Sequence, residues 1–344
     1  MKEPQFVLAP MDGMTRASFR RVCFDYGADG ATTEMIQSLA LGRAKRKLSD
    51  TFAETMVRMP GEGNLAAQLI GSVPAMMGAS ARKLTEMGRF DAIDINMGCP
   101  ARKVVGSGNG SALLLKPALA MEVMRAVREN TGLPVRLKLR LGWDDDHITA
   151  PELIAYAEAL GFESVTLHGR TRMQMYSGDV NLPAMRAICE GVNIPIFANG
   201  AVTCAEDALT FLKATGAAGI SIGRAALKQP WIFEDIRRLR AGLSLREHDA
   251  VERVHVLIRL ATLACGLRPE AVAISEMRKF SGWLLSGLAN VSTLLTSLNT
   301  ITTLSAYREA LERYLKRLVQ SDDTHVHPEW IRSSPLDTVD YRRQ

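Results

Sequence analysis

Short runs of strand-type residues recur along the first two thirds of the sequence, and segments with helical spacing of apolar residues separate them. Several runs are almost wholly apolar, which is typical of strands buried on both faces of a parallel sheet. The predicted strands are Phe6–Met11, Gly30–Met35, Leu65–Gly71, Ala92–Met97, Val135–Leu141, Ser164–Arg170, Ile194–Gly200 and Gly219–Arg224. Eight strands alternating with helices favour an α/β fold of the (β/α)8 TIM-barrel type, although doubly wound sheets alternate in the same way.

The strand pattern stops near residue 240, and the sequence that follows is typical of helices only. Val251–Cys265 and Ser305–Leu318 are two such helical stretches. We therefore predict a TIM barrel over residues 1–238 and an all-helical domain over residues 239–320. Residues 321–344 are rich in Asp, Pro, Ser and Arg, and we expect them to form a poorly ordered tail.

Charge and cysteine usage limit the class of protein. The sequence has 42 Lys and Arg against 37 Asp and Glu, and its net charge of +5 permits a polyanionic partner without requiring one. No two of the five cysteines form a C-x-x-C pair, which argues against a zinc ribbon or a disulfide framework. The longest uncharged run, Phe280–Tyr307, is too polar for a membrane span. We expect a cytoplasmic protein with no metal and no membrane partner.

A cysteine follows the fourth predicted strand, in the turn Asn96-Met97-Gly98-Cys99-Pro100. A thiol titrates at about 8.5. It is therefore mostly protonated at neutral pH, which suits a proton donor as well as an activated nucleophile; a buried structural cysteine is the alternative. The glycine-rich segment Gly106–Ser111 matches a phosphate loop poorly, because Ser111 takes the place of the final glycine. It fits a mobile loop beside the cysteine better.

Polar residues also end the middle strands. Lys138 and Arg140 point the same way from the fifth predicted strand. A lysine there is costly unless it has a partner or a ligand, and a partly exposed lysine is the alternative. His168, beside Arg170, closes the sixth strand, although a lone histidine is more often structural. The run Asp144–His147 could be a metal cluster, but consecutive loop carboxylates are usually solvated or cap a helix.

The last two predicted strands end in Asn199-Gly200 and Gly223-Arg224. In (β/α)8 barrels the loops after strands seven and eight often bind phosphate. Glycine lets backbone N–H groups approach a phosphate, and arginine adds a fork of donors. These two strand ends therefore predict a phosphorylated cofactor or substrate.

Together these motifs resemble those of the bacterial tRNA-dihydrouridine synthases, a family of flavoproteins. The resemblance extends from about Val7 to Leu318. It rests on Ala9-Pro10-Met11, Thr33-Glu34-Met35, Gln68-Leu69-Ile70-Gly71, Asn96-Met97-Gly98-Cys99-Pro100, Lys138-Leu139-Arg140, His168-Gly169-Arg170-Thr171, Asn199-Gly200, Ile222-Gly223-Arg224-Ala225, Arg278-Lys279-Phe280 and Trp283-Leu284. The loop Val105–Ser111 is similar to the C-type enzymes, and the Asn96–Ala101 stretch and the helical domain to the B-type, so the modified uridine stays open.

The resemblance implies an FMN-binding barrel with FMN tightly bound across its mouth, a helical domain that binds tRNA, and NADPH or NADH as a transient reductant. Cys99 would be the general acid, and Asn96, Arg140 and Arg170 would bind the substrate. The residues implied for FMN binding are Pro10, Met11, Asp12, Gln68, Lys138, His168, Asn199, Gly200, Ala201, Gly223 and Arg224. Ala201 and Asp12 depart from the commoner family residues at their positions.

The reaction implied is hydride transfer from flavin N5 to uracil C6, with a proton from Cys99 to C5, on a uridine flipped out of the tRNA. We expect a monomer, since tRNA offers a single asymmetric site. Three alternatives stay open: the same chemistry on ribosomal RNA, an FMN barrel acting on a free pyrimidine, and an RNA-binding protein without catalysis.

Overall fold

The computed structural model describes residues 3–43, 54–321 and 324, which fall into two compact units. The first, here called the barrel unit, contains Ala28–Gly223 and the segment that ends at Ala17. The second, the helical unit, contains Ser18–Gly27 and the segment that begins at Arg224. The division thus falls before the predicted boundary at residue 238. Most of the predicted tail after residue 320 lies outside the described residues.

The barrel unit is built on parallel strands that close on themselves. The strands are β1 (Gln5–Leu8), β2 (Gly30–Thr32), β3 (Ile36–Gln37), β4 (Asn64–Ile70), β5 (Ala92–Met97), β6 (Val135–Arg140), β7 (Ser164–His168), β8 (Ile196–Asn199) and β9 (Gly219–Ile222). Their order is β2-β1-β9-β8-β7-β6-β5-β4, and pairing of β2 with β4 closes the ring. The short β3 pairs with β4. The predicted (β/α)8 barrel is confirmed.

The register of the barrel brings polar residues together. Gln68 on β4 pairs with Asp94 on β5, and Asn96, two residues along β5, pairs with Lys138 on β6. All six residues of β5 are buried, and its apolar members supply the packing that surrounds these polar groups. Since alternate residues of a strand face the same side, Asp94 and Asn96 share a face. Parallel pairing therefore sets a line of polar side chains across neighbouring strands.

Helices follow most of the strands and continue to the end of the described chain. In chain order they are α1 (Ala17–Asp25), α2 (Ser38–Arg43), α3 (Pro74–Glu86), α4 (Arg102–Gly106), α5 (Pro117–Glu129), α6 (Ala150–Ala159), α7 (Leu182–Gly191), α8 (Ala205–Thr215), α9 (Arg224–Lys228), α10 (Ile232–Arg240), α11 (Ala250–Cys265), α12 (Glu270–Leu284), α13 (Val291–Leu298) and α14 (Leu304–Gln320), with a 3-10 helix at Gly110–Leu115. Within the described ranges, none of these helices is long and apolar enough to cross a membrane.

The helical unit includes most of α1, although α1 lies about 200 residues earlier in the chain than the unit's other helices. The ring of Phe19 lies 5.3 Å from that of Phe280 on α12. The Tyr26 hydroxyl donates a hydrogen bond of 2.8 Å to Glu252 on α11, which is 226 residues away. Aromatic packing and a partly buried hydrogen bond thus tie α1 and the residue after it to the C-terminal helices.

A stacked pair explains why the helical unit begins earlier than the sequence predicts. Trp231, only 1% exposed, stacks on His248 with the ring centroids 4.6 Å apart. The two nitrogens of His248 face Asp235 at 3.0 Å and Glu252 at 2.8 Å. The segment around α10 therefore packs in the helical unit, although it lies within the predicted barrel range of residues 1–238.

Gly142, just after β6, is a position where we expect a large effect on stability. A Cβ atom there would lie 2.7 Å from Ile148 Cα and closer still to the His147 carbonyl oxygen. Because both neighbours are backbone atoms, Gly142→Ala should lower the free energy of unfolding by about 1–3 kcal/mol or more. Urea unfolding measures this, with Gly132→Ala as the control, since its Cβ would meet nothing within 4 Å. Equal losses in the two variants would contradict the expectation.

Candidate active site

Cys99 lies in the turn that follows β5, and its backbone is held from both sides. Asn96 Oδ1 accepts hydrogen bonds from the backbone N–H of Gly98 (3.1 Å) and of Cys99 (3.0 Å). The Ser111 hydroxyl and backbone N–H donate to the Cys99 carbonyl oxygen at 2.9 and 3.1 Å. Gly110, with a φ of 60°, leaves no room there, since its Cβ would lie 2.9 Å from that oxygen. The turn therefore presents a half-buried thiol in a fixed position.

The surroundings of the thiol favour its protonated form. Burial raises the pKa of Cys99, and the Asp12 carboxylate raises it further. The backbone N–H of Ala101 and the cations Arg140 and Lys138 lower the pKa, but they do not outweigh burial. A raised thiol pKa leaves Cys99 almost entirely protonated at neutral pH, as a proton donor requires.

Three buried side chains form a hydrogen-bonded series that leads to the cysteine turn. Gln68 Nε2 donates to Asp94 Oδ2 at 2.6 Å, and Asn96 Nδ2 donates to Gln68 Oε1 at 2.8 Å. Gln68 and Asn96 were singled out from the sequence, but Asp94 was missed. The signal was present: Asp94 and Asn96 are polar at alternate positions of an otherwise apolar strand.

Lys138 has a polar partner inside the barrel. Its Nζ donates a hydrogen bond of 3.0 Å to Asn199 Oδ1, and Asn199 Nδ2 donates to the Ser221 carbonyl oxygen at 2.7 Å. Burial lowers the pKa of Lys138 to about 8, with repulsion from Arg140 adding to the effect and Asp94 opposing it. Lys138 is therefore mostly a cation at neutral pH, but one that loses its proton readily.

Arg140 is bound to backbone carbonyls. The residue is 2% exposed, and its Nε donates to Gly98 at 2.9 Å. Its Nη1 donates to Thr171 at 2.9 Å and to Met175 at 2.7 Å. The guanidinium carbon lies 5.4 Å from the centroid of the Tyr176 ring. Arg140 thus joins the cysteine turn to the segment after β7, and its contact with a substrate stays a prediction.

Arg170 and His168 also meet the segment after β7. Arg170 donates from Nε and Nη2 to the Gly178 carbonyl oxygen, at 3.0 and 2.8 Å. The His168 ring lies edge-on to that of Tyr176, with centroids 6.5 Å apart. These contacts attach residues 171–178, which follow β7, to two side chains at the end of that strand. The predicted contact of Arg170 with a substrate and that of His168 with a flavin stay predictions.

The turn after β8 has an unusual backbone. Gly200 has a φ of 118°, and a Cβ there would lie 2.9 Å from Val180 Cγ1, so only glycine fits. Ala201 has a φ of 58°, a left-handed conformation that costs an alanine about 1–2 kcal/mol. Strain of this kind often marks a binding turn. The turn lies directly beside Asn199, the partner of Lys138.

The remaining predicted cofactor residues lie in the turn after β1 and at the end of β9. The Met11 N–H donates to Thr15 Oγ1 at 2.9 Å, which fixes the turn that also contains Pro10 and Asp12. Beside this turn, a Cβ on Gly223 would lie 3.6 Å from Met11 Sδ. Arg224, the next residue, begins α9, and its contact with a phosphate stays a prediction.

Asp144 acts as a turn cap. Its Oδ1 accepts from the backbone N–H of Asp146 at 3.2 Å and of His147 at 3.0 Å, and it lies 2.6 Å from His147 Nδ1. In the part of the chain that the structure describes, no group of three or more His, Cys, Asp or Glu is arranged to hold a metal ion. Within the acidic run, the Asp144 carboxylate thus stabilises a local turn.

Comparison with known proteins gives a consistent result. A probable tRNA-dihydrouridine synthase of Rickettsia conorii is 33% identical over 317 residues, covering 92% of this chain and 95% of that protein. tRNA-dihydrouridine synthase B of Shewanella oneidensis is 34% identical and covers 92% of this chain and 97% of its own length. Among solved structures, histamine dehydrogenase from Rhizobium sp. 4-9 shares the fold, with a TM-score of 0.54 at 12% identity over 75% of this chain and 48% of that one.

The family match covers nearly the whole chain. A model of the family described as dihydrouridine synthase matches residues 7–320, which run from the second half of β1 through the other barrel strands to the end of α14. This agrees with the motifs from which the resemblance was drawn. The chain belongs to the dihydrouridine synthase family.

Proposed function

We propose that this protein reduces uridines in tRNA to 5,6-dihydrouridine, with FMN as the bound cofactor and NADPH or NADH as the reductant. The observation that carries the proposal is a thiol in a hydrogen-bonded turn, with its pKa raised by burial, at the same end of the barrel as a buried cation and a strained glycine turn. Family membership and the names of the relatives support tRNA as the substrate.

The residues present suit FMN. Lys138 offers a cation for the electron-rich side of a reduced flavin, and Asn199 orients its Nζ. The turn at Gly200 and Ala201, and Gly223 at the end of β9, suit a phosphate, because a Cβ at Gly200 would close the approach. Pro10, Met11, Asp12, Gln68 and His168 complete the proposed set. When bound, the flavin supplies the hydride that reduces the uracil 5,6 double bond.

The chain's own residues supply the rest of the chemistry. Cys99 donates the proton from Sγ to uracil C5, so that hydride at C6 and proton at C5 complete the reduction. The high thiol pKa keeps this proton in place until the substrate arrives. Asn96 holds the turn that presents the thiol. We propose that Arg140 and Arg170 keep the segment that follows β7 in the shape that receives the base.

A position-resolved map of dihydrouridine in tRNA and ribosomal RNA tests the proposal. RNA is compared from a strain lacking this gene and from its parent, after return of the wild-type gene or of Cys99→Ala. We expect loss at one or a few tRNA positions, restored by the wild-type gene only. The cofactor released from purified protein by heat should have the mass of FMN. Loss confined to ribosomal RNA would show that the substrate is ribosomal RNA and not tRNA. Activity on free uracil alone would contradict the proposal that the substrate is an RNA.

A further inference from the structure

Asp94 lies at the far end of the hydrogen-bonded series that leads to Cys99. Its carboxylate accepts from Gln68, Gln68 accepts from Asn96, and Asn96 accepts from the backbone N–H of Cys99. The first three residues are 4%, 0% and 6% exposed, respectively, so water does not compete effectively for these bonds. The series therefore connects a buried carboxylate to the turn that carries the thiol.

The direction of every bond in this series is set from the cysteine end. A backbone N–H can only donate, so Asn96 must turn its oxygen toward Gly98 and Cys99. Its amide nitrogen then faces Gln68, which must present its oxygen to Asn96 and its nitrogen to residue 94. Only an acceptor at position 94 completes the series, and an ionised carboxylate is purely an acceptor.

Packing alone gives no reason for a carboxylate at this place. Burial raises the pKa of Asp94 to about 6, although the hydrogen bond from Gln68 and the charges of Lys138 and Arg136 lower it. A buried charge is unfavourable unless hydrogen bonds or opposite charges compensate for its burial. The other inward and outward neighbours on β5 are mostly apolar and fully buried, so an apolar residue would suit the strand itself.

We propose that Asp94 is a positioning residue, which fixes the amides of Gln68 and Asn96 and thereby holds the turn that presents the Cys99 thiol. The inference rests on the proposed function only in taking the Cys99 thiol to be the proton donor. Its second effect is electrostatic, because the Asp94 carboxylate favours the charged form of Lys138.

Two substitutions separate these effects. Asp94→Ala removes both the acceptor and the charge, whereas Asp94→Asn keeps an oxygen that can accept from Gln68 and removes only the charge. An asparagine at position 94 has to keep that oxygen toward Gln68, because reversing the series would break both bonds from Asn96 to the cysteine turn. Both variants therefore lack the negative charge, but only Asp94→Ala also loses the hydrogen bond from Gln68.

The rate of Cys99 alkylation by iodoacetamide measures the position of the thiol. The full-length protein, with its cofactor as purified, is treated across a range of pH, and each cysteine is followed by peptide mass spectrometry. In Asp94→Ala we expect the limiting rate at Cys99 to rise about fivefold, the equivalent of losing roughly one hydrogen bond. Cys189 and Cys204 should not change. In Asp94→Asn the limiting rate should stay within about twofold of wild type.

The charge effect has its own readout. We expect wild-type activity to fall above about pH 8, as Lys138 loses its proton. In Asp94→Asn the loss of the carboxylate lowers the pKa of Lys138, so this fall should begin at lower pH than in the wild type. A general weakening of the fold would not move this limb. The alkylation experiment uses neither tRNA nor NADPH, so its result is independent of whether the protein makes dihydrouridine.

Three results would overturn the proposal. The first is an unchanged Cys99 rate in a folded Asp94→Ala protein. The second is an equal increase in the alanine and asparagine variants, which would assign the effect to charge. The third is faster alkylation of every cysteine in both Asp94→Ala and Asp94→Leu, which fills the space without an acceptor; Asp94 would then support the fold as a whole.

Discussion

Replacement of Cys99 by alanine is expected to lower the rate of uridine reduction by about 10²–10⁴-fold, the usual contribution of a positioned general acid. The side chain is half-buried, and burial holds its pKa above the usual range, so the thiol keeps its proton at neutral pH. Reduction of the bound cofactor by NADPH should remain near the wild-type rate, because that step does not use the thiol. Stopped-flow measurement of the two half-reactions separates them.

The matched control for this prediction is Cys189→Ala. Cys189 is also a partly buried thiol with a raised pKa, but it lies on α7, whereas Cys99 lies in the turn after β5. The Cys189→Ala variant should carry out both half-reactions at the wild-type rates. If Cys99→Ala instead slowed cofactor reduction and uridine reduction equally, the thiol would be supporting the cofactor site and the assignment as acid would be wrong.

Lys138→Met is expected to have the second largest effect, a fall of about 10²–10³-fold in activity, typical of losing one preorganised electrostatic contact. The substitution keeps an unbranched side chain one atom shorter but removes the cation that donates to Asn199. Lys213→Met, at an exposed lysine of α8, is the control. Activity of Lys138→Met close to that of this control would show that the buried cation has no part in the chemistry.

The pH dependence gives the same prediction in another form. The pKa of Lys138 in the folded protein is about 8, below its ordinary value, so the cation predominates below pH 8 and is lost as pH rises through it. Wild-type activity should therefore fall above about pH 8, and Lys138→Met should lack this limb. Rates are measured at saturating tRNA and reductant. A wild-type profile that stays flat to pH 9.5 would contradict the role of Lys138.

Local patterns in the sequence predicted the strands well and the chain's long-range organisation less well. β6 was predicted as Val135–Leu141 and is Val135–Arg140, because alternation of apolar residues is a property of neighbouring positions. The same holds for the helix predicted at Val251–Cys265, which is α11 (Ala250–Cys265). Nothing local shows that α1 packs with helices more than 200 residues away, since that depends on contacts such as Tyr26 with Glu252.

The candidate site divides in a similar way. Cys99, Lys138 and Asn199 stand out in the sequence because they are polar at strand ends, and the structure joins Lys138 to Asn199. The partners of Arg140 could not be predicted, since they are backbone carbonyls whose positions depend on the folded turn and on the segment after β7. Asp94 carried a readable signal, but its direction of hydrogen bonding is determined only by the complete series.

The split composition of the helical unit has a consequence for synthesis on the ribosome. Tyr26 emerges long before Glu252, its partner 226 residues later, and at 5–20 residues per second this delay is about 10–45 seconds. Until then, the apolar face of α1 that carries Phe19 lacks its native neighbour Phe280. The nascent chain thus carries an apolar helix face without its native partner for most of its elongation. A chaperone that binds unfolded chains would limit misassembly during this period.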